Sequence, residues 1–327
     1  MSKSSPKKLG IGGQAIIEGV MMRSPRFYVM AVRRSDQNIV VESRKYISLT
    51  QRSKFWKLPL LRGIAVLYES LLLGMKALMF SNQIMMEDFD RDAEKKNGAP
   101  KKKVKKTSAL GNALKMLGMV AYFVFVFGLA IFLFKFLPLL VADKAQDLSS
   151  FVASHYFLFN AIDGLTKVVV FLTYILLISL LPDIRRVFAY HGAEHQAIWA
   201  YEKGAELTIE NAQKEHPEHP RCGTSFIILV LLLSVIIYTF LPSHASFELK
   251  LLERIAALPL IAGLSYEVLK ISAKYEEKWW IHWITIPGLW LQKITTKKPT
   301  DDMEEVAIAA LKGALEAEEK SPVPLQS

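Results

Sequence analysis

One cysteine stands among 327 residues. That excludes an intramolecular disulfide and leaves Cys222 as a plain buried thiol, a reactive thiol or a metal ligand. No long apolar segment follows the basic residues of the N-terminus, MSKSSPKKLGIGGQAIIEGVMMR, so the start does not read as a cleavable signal peptide. Gly10, Gly12 and Gly13 resemble a phosphate loop, but the Lys-Ser/Thr such a loop needs is missing. Acids are in deficit, 31 against 41 Lys and Arg, for a net charge of +10. A basic balance can signal nucleic acid. Here the positive charge flanks apolar runs, as at the cytoplasmic ends of membrane helices. The most cationic stretch, 91–106, holds eight Lys or Arg against two acids and no aromatic residue. It therefore lacks the stacking surface of a single-strand-binding platform and reads as a flexible flank attracted to anionic lipid head groups.

What is present points to a membrane. Hydrophobic residues make up 51% of the chain and mean hydropathy is +0.23, although 22% of residues are charged. The expected fold class is a mainly α-helical integral membrane protein of about four transmembrane helices, with a small N-terminal β-hairpin and interfacial amphipathic helices. Spans are expected over 116–134, about 162–182, 223–242 and 255–272. The loops at 136–161 and 243–254 then lie on one side. The flanking Lys and Arg place both termini and residues 183–222 in the cytoplasm. Residues 26–34 and 39–47 are rich in β-branched and aromatic side chains and are joined by Ser35-Asp36-Gln37-Asn38, which reads as a hairpin. Arg62, Glu69 and Lys76 recur every seven residues as a polar stripe on an apolar helix over 57–80, suited to an interfacial or half-buried position. The tryptophan-rich run from Trp279, interrupted at Pro287-Gly288, is too short to span and reads as interfacial. Asp301-Asp302 opens an amphipathic helix to about Glu319. The chain thus divides into a glycine-rich segment and hairpin (1–54), an amphipathic helix (55–90), a cationic linker (91–110), a membrane body (111–299), and a terminal helix and tail (300–327).

Between two apolar runs lies LPDIRRVFAYHGAEHQAIWAYEKGAELTIENAQKEHPEHPRCGT, residues 181–224, with four of the seven histidines and the cysteine. His191 and His195 are four apart, so on a helix both imidazoles reach one ion. Glu194 between them completes H-x-x-E-H, in which the carboxylate acts as general base. A third ligand is required. Cys222, His219 and Glu267 are candidates, the last an acid in an apolar helix that is costly without a partner. His216 is a weaker one, and His155, His244 and His282 stand alone. The polar stretch 203–214 reads as a turn and a short helix that folds His191–His195 back against His219–Cys222. Three protein ligands and an open position would be catalytic; a closed His/His/His/Cys shell would be structural. Glu18, the one acid in the apolar run from Ile16 to Met22, either faces water, pairs with Arg23, or is aimed into a site.

Six motifs together are specific: GGQAIIEGVMMR from Gly12, LPDIRR from Leu181, YHGAEH from Tyr190, HPRCGTSF from His219, SYE from Ser265 and PGLWLQ from Pro287. Over nearly the whole chain they resemble the DUF1385 family of bacterial multi-pass membrane proteins. The resemblance implies a location in the bacterial cell membrane and a metal-dependent enzyme. It draws Gln14, Glu18, Arg23 and Arg221 into a pocket, but supplies no substrate. The expected function is a membrane zinc hydrolase acting at the cytoplasmic surface on a lipid or membrane-bound peptide. In it His191 and His195 bind the metal, Glu194 activates water, and Arg221 or Arg23 steadies an oxyanion or phosphate. The alternative is a non-catalytic scaffold or assembly factor with a structural metal. A homo-oligomer or a membrane-protein partner fits either; a transporter is a weaker third reading, since few charges lie along the spans.

Overall fold

The computed structural model describes residues 9–97, 117–118, 121, 124–241, 246–275 and 278–321. Residues 98–106 of the cationic run, most of 116–123, His244 and the end of the tail lie outside them. The chain forms two compact units, 1–89 with 175–229 and 262–327, and 90–174 with 230–261.

The first unit is built on a four-stranded antiparallel meander: β1 (Gly12–Ile16), β2 (Gly19–Arg23), β3 (Phe27–Arg33) and β4 (Ile39–Lys45). The expected hairpin is β3 with β4. The two strands before it form a second hairpin, with Gly12 opposite Arg23 and a two-residue turn in which Glu18 takes φ 52°. β3 is buried at all seven positions because helices cover both faces of the sheet. Val20, Met22, Val29 and Ala31 pack on one face against two helices, α4 (Pro182–Lys203) and α10 (Asp301–Glu319). Met21, Tyr28, Met30 and Val32 pack on the other against Leu73, Ala77 and Ile84 of α1 (Leu61–Asn97). A strand covered on both faces shows no polar alternation, which is why the β2 segment reads as a plain apolar run.

α1 has 37 residues and runs beyond the expected 80 into the first residues of the cationic stretch. Its polar stripe is divided. Arg62 pairs with Glu267, and Glu69, buried, accepts from Ser48, the Leu49 amide and Arg23. Lys76 is exposed. Further along, Glu87 and Asp88 grip Arg34 at 2.8 and 2.7 Å. α4 starts with Pro182 in its first turn and ends at Gly204, φ 76°, the helix-end geometry that glycine favours. After the short helix α5 (Ile209–Ala212), the chain returns to His219–Cys222 as the polar stretch 203–214 suggested. Helix α9 (Trp279–Thr295) runs unbroken through Pro287, in place of the expected interruption.

The second unit is helical. Val124–Leu148 (α2) and Tyr156–Ile178 (α3) are long and apolar enough to cross a membrane. The stretch expected as a loop over 136–161 is mostly helix, because the first span continues through a wide turn at Phe132–Phe136. α6 (Gly223–Tyr238) has 16 residues, fewer than the expected 20. The expected loop 243–254 holds α7 (Phe247–Ala256), which makes a fourth crossing only together with α8 (Leu258–Lys274), at a 40° bend. α1 also passes the length and apolarity test. The sheet packed along it argues against a crossing there, since an open sheet edge leaves backbone groups that hydrocarbon cannot satisfy.

Candidate functional site

α4 places His191 and His195 on one face, their ring centroids 4.3 Å apart. Main-chain carbonyls fix both rings. His191 Nδ1 lies 2.9 Å from the Thr295 carbonyl, and His195 Nδ1 lies 2.6 Å from the Pro217 carbonyl. A carbonyl only accepts, so each Nδ1 carries the proton and each Nε2 presents a lone pair. His191 Nε2 is 3.1 Å from Cys222 Sγ. One ligand atom from each of His191, His195 and Cys222 lies within 4.8 Å of the others. Two imidazoles and a thiol suit zinc or another borderline-soft transition metal. Nδ1–H bonds to backbone are the usual outer support of metal-binding histidines. The residues present therefore fit a metal.

Glu194 closes the group from the fourth side. One of its carboxylate oxygens is 3.9 Å from His191 Nε2 and 3.8 Å from His195 Nε2. Burial pushes its carboxyl above the usual carboxylate range, opposed in part by the histidines and by the main chain of Gly13. Burial likewise lowers His195 and favours the neutral imidazole. β1 lies against this carboxylate at Gly13, where a Cβ would come within 2.7 Å of the Glu194 side chain. Gly192 is similarly constrained, since a side chain there would run into the Lys297 carbonyl.

The other sequence candidates are engaged elsewhere. His219 shares the neighbourhood, its ring 5.7 Å from that of His195, but both nitrogens are committed. Nε2 meets Glu202 at 3.1 Å, and Nδ1 accepts from the Arg221 amide. Arg221 is half-exposed and pairs with the same Glu202. Glu267 is not a ligand in this arrangement, because Arg62 binds both of its oxygens and the Leu60 amide approaches one. Glu18 pairs with Arg186 and meets Tyr190, rather than Arg23. Arg23 meets Glu69 and Tyr46. Gln14 donates to the Ser70 carbonyl beside Gly74 on α1. It is one residue from Gly13, and so on the opposite face of the strand. His216 is exposed.

Two residues that sequence reasoning passed over organise the site. Gln292 is fully buried on α9; its Oε1 accepts from the His219 amide at 2.7 Å, and its Nε2 donates to the His219 carbonyl at 2.9 Å and to Ser225 Oγ at 3.1 Å. Thr295, one turn on, supplies the carbonyl that orients His191. One helix end thus holds both the loop bearing Cys222 and the first histidine. The only signal for it was the PGLWLQ motif in which Gln292 lies.

Comparison with known proteins agrees with the motifs. The chain is 34% identical over 307 residues to "Uncharacterized protein YqhQ" of Bacillus subtilis (strain 168), covering 94% of this chain and 92% of that protein. No solved structure matches. Residues 58–317 match the family described as "Protein of unknown function (DUF1385)", and the chain belongs to that family.

Proposed function

We propose that this protein is a membrane-bound, metal-dependent hydrolase whose metal, most simply zinc, is held by His191, His195 and Cys222. The observation that carries this reading is the convergence of two Nε2 lone pairs and one sulfur, all on fixed groups, beside a buried carboxylate. Three protein ligands would leave a bound zinc ion open to water or substrate. Bound zinc supplies Lewis acidity and brings the pKa of a coordinated water to roughly 7. Glu194 is the group that would take the proton and pass it on, because its oxygen faces both histidines. Arg221, half-exposed next to Cys222, would have to exchange Glu202 for an anionic substrate to steady it.

Packing supports a common side for the sheet, α4 and α10, since all three share one core. Residues 46–181 and 204–300 must then each cross the membrane an even number of times. α2 with α3, and α6 with the α7–α8 pair, satisfy this if α1 does not cross. The positive flanks put that shared side, with both termini and the site, in the cytoplasm. A lipid or membrane-bound peptide substrate follows from that position.

The test begins with metal content of detergent-purified protein beside the His191→Ala/His195→Ala double variant. About one zinc per chain, lost in the variant, is expected; no metal in either, after zinc is supplied, would end this reading. Glu194→Gln should keep the metal and abolish turnover of lipid or peptide esters and amides. A second reading, a structural metal knot in an assembly factor, is favoured by the deep burial of Glu194, His195 and Cys222. Cobalt substitution separates the two: spectra that respond to added anions report an open position, and unresponsive spectra report a closed shell.

A further inference from the structure

The second unit carries a concentration of charge that the proposed chemistry does not use. Tyr238, fully buried at the end of α6, has three cations about its ring. Lys167 Nζ is 4.5 Å from the centroid, the Arg254 guanidinium 4.9 Å and Lys135 Nζ 5.3 Å. They come from three different helices, α3, α7 and α2. Lys167 and Arg254 share a single oxygen of Asp163, and Arg254 also binds Asn160 at 3.0 Å. Lys135 reaches only the Tyr238 hydroxyl, at 2.9 Å, and among the described residues meets no carboxylate.

Two deficits coincide here. The first is charge. Lys250, on the same helix as Arg254, has its own partner in Asp143 at 3.3 Å. Glu253 makes no ion pair with these cations among the described residues. The sequence of 98–123 and 242–245, the stretches that adjoin α2 and α6, contains no Asp or Glu. Cations within apolar helices are expensive unless paired. The second deficit is a donor. Asp163 is almost completely buried, and its second oxygen, Oδ1, has no hydrogen-bond partner among the described residues. An orphan buried oxygen calls for a missing donor. Water could supply the donor but not the charge. Halide, sulfate or carboxylate could supply the charge but not the donor. An anionic phosphate group that keeps a P–OH supplies both, with anionic oxygens for Lys135, Lys167 and Arg254 and a P–OH for Asp163. Arg254 stands two residues before the bend that separates α7 from α8, and broken helices of this kind often border binding sites in membrane proteins.

We propose that Lys135, Lys167 and Arg254, grouped around Tyr238 with Asp163, form a binding site for a protonated phosphate anion. The ligand is either free phosphate or the head group of a phosphomonoester lipid. Nothing in this assignment depends on the His191–His195–Cys222 chemistry.

The test uses the full chain in detergent at mildly acidic pH, where both inorganic phosphate and a phosphomonoester are anionic and keep at least one P–OH. Thermal unfolding is followed while inorganic phosphate or sulfate is added at constant ionic strength. In parallel, the protein is placed in phosphatidylcholine nanodiscs with and without phosphatidic acid. A ligand of the native state raises Tm with concentration. Phosphate should do so at about tenfold lower concentration than sulfate, since sulfate leaves the carboxylate oxygen unpaired. Lys135→Gln should abolish the shift, with an unliganded Tm at or above that of wild type because an unpaired cation is gone. The His191→Ala/His195→Ala variant should retain it. A shift with inorganic phosphate identifies a small-anion site; a shift only with phosphatidic acid identifies a head-group site. Absence of both shifts in wild type, equal effects of sulfate and phosphate, or an undiminished shift in Lys135→Gln would overturn the proposal. The wild-type comparison stands even if the variant fails to fold.

Discussion

Glu304 is a carboxylate that the fold buries without compensation. It lies in the first turn of α10, where an acid favours the helix dipole, but it is fully buried and neither oxygen has a hydrogen-bond partner among the described residues. Burial, with Asp301 adding repulsion, pushes its pKa from 4.5 up to about 8. The native state therefore keeps a proton that the unfolded chain loses above 4.5. Stability contributed by the neutral form is complete below that pH and falls as pH rises toward about 8, at up to roughly 1.4 kcal/mol per pH unit. Glu304→Gln removes the titration, so it should raise Tm at pH 8 and lose its advantage as the pH is lowered to 4.5. Parallel thermal scans over that range decide it. Gln292 is the opposite case, a buried polar residue with every partner in place. Gln292→Leu leaves the amide and carbonyl of His219 unpaired, at about 1–3 kcal/mol for each group. It should also loosen metal binding by roughly 10–100-fold, the usual effect of removing an outer-shell support; competition with a chromogenic chelator would measure this. Wild-type affinity in that variant would show that α9 does not position Cys222. His191, Glu194, His195 and Cys222 were legible because helical spacing and residue chemistry mark them locally. Gly13, Gln292 and the Thr295 carbonyl were not, because each meets the site across a separation of 70 residues or more that no short pattern records.

At the level of elements, legibility followed periodicity. α10 was readable from its paired aspartates and amphipathic stripe, and β3–β4 from turn chemistry between β-branched runs. The β1–β2 hairpin was hidden: glycines weaken the strand signal of β1, and β2 is covered on both faces. The far end of α1 was hidden too, because its last turns are polar and charged, and the grip of Glu87 and Asp88 on Arg34 ties them to the sheet. The junction of α10 with the sheet also yields a test. Glu318 is buried and accepts from Ser24 Oγ at 2.8 Å, the Arg26 amide at 2.7 Å and Arg26 Nε at 2.6 Å. Breaking a buried pair by removing one partner strands the other charge, at about 3–5 kcal/mol. Glu318→Ala should lower stability by that order, and a double-mutant cycle with Arg26→Ala should show strong coupling. Additive effects would mean that the pair is only a surface contact.

For the whole molecule, the approximate number of candidate spans was legible from hydropathy but their membership was not. α6 proved short, the last candidate span is bent, and α1, which lies along the sheet, passes the same length and apolarity test as the expected spans. Topology follows from which elements share a core. Cysteines introduced at Ser150 and Lys320 should differ in intact cells: a membrane-impermeant maleimide should label the first and spare the second. Native Cys222 is buried and gives little background. Labelling of both positions would place the C-terminal helix outside and exclude a cytoplasmic site. The pairing of Ser24 with Glu318, 294 positions apart, has a further consequence in time. Ribosomes add roughly 5–20 residues per second, so the first strands wait about 15–60 s for the helix that covers them. During that interval every apolar helix of the second unit has already left the ribosome. The nascent sheet stands for that interval with one apolar face covered by α4 alone, and the group of His191, His195 and Cys222 is assembled only when synthesis is nearly finished.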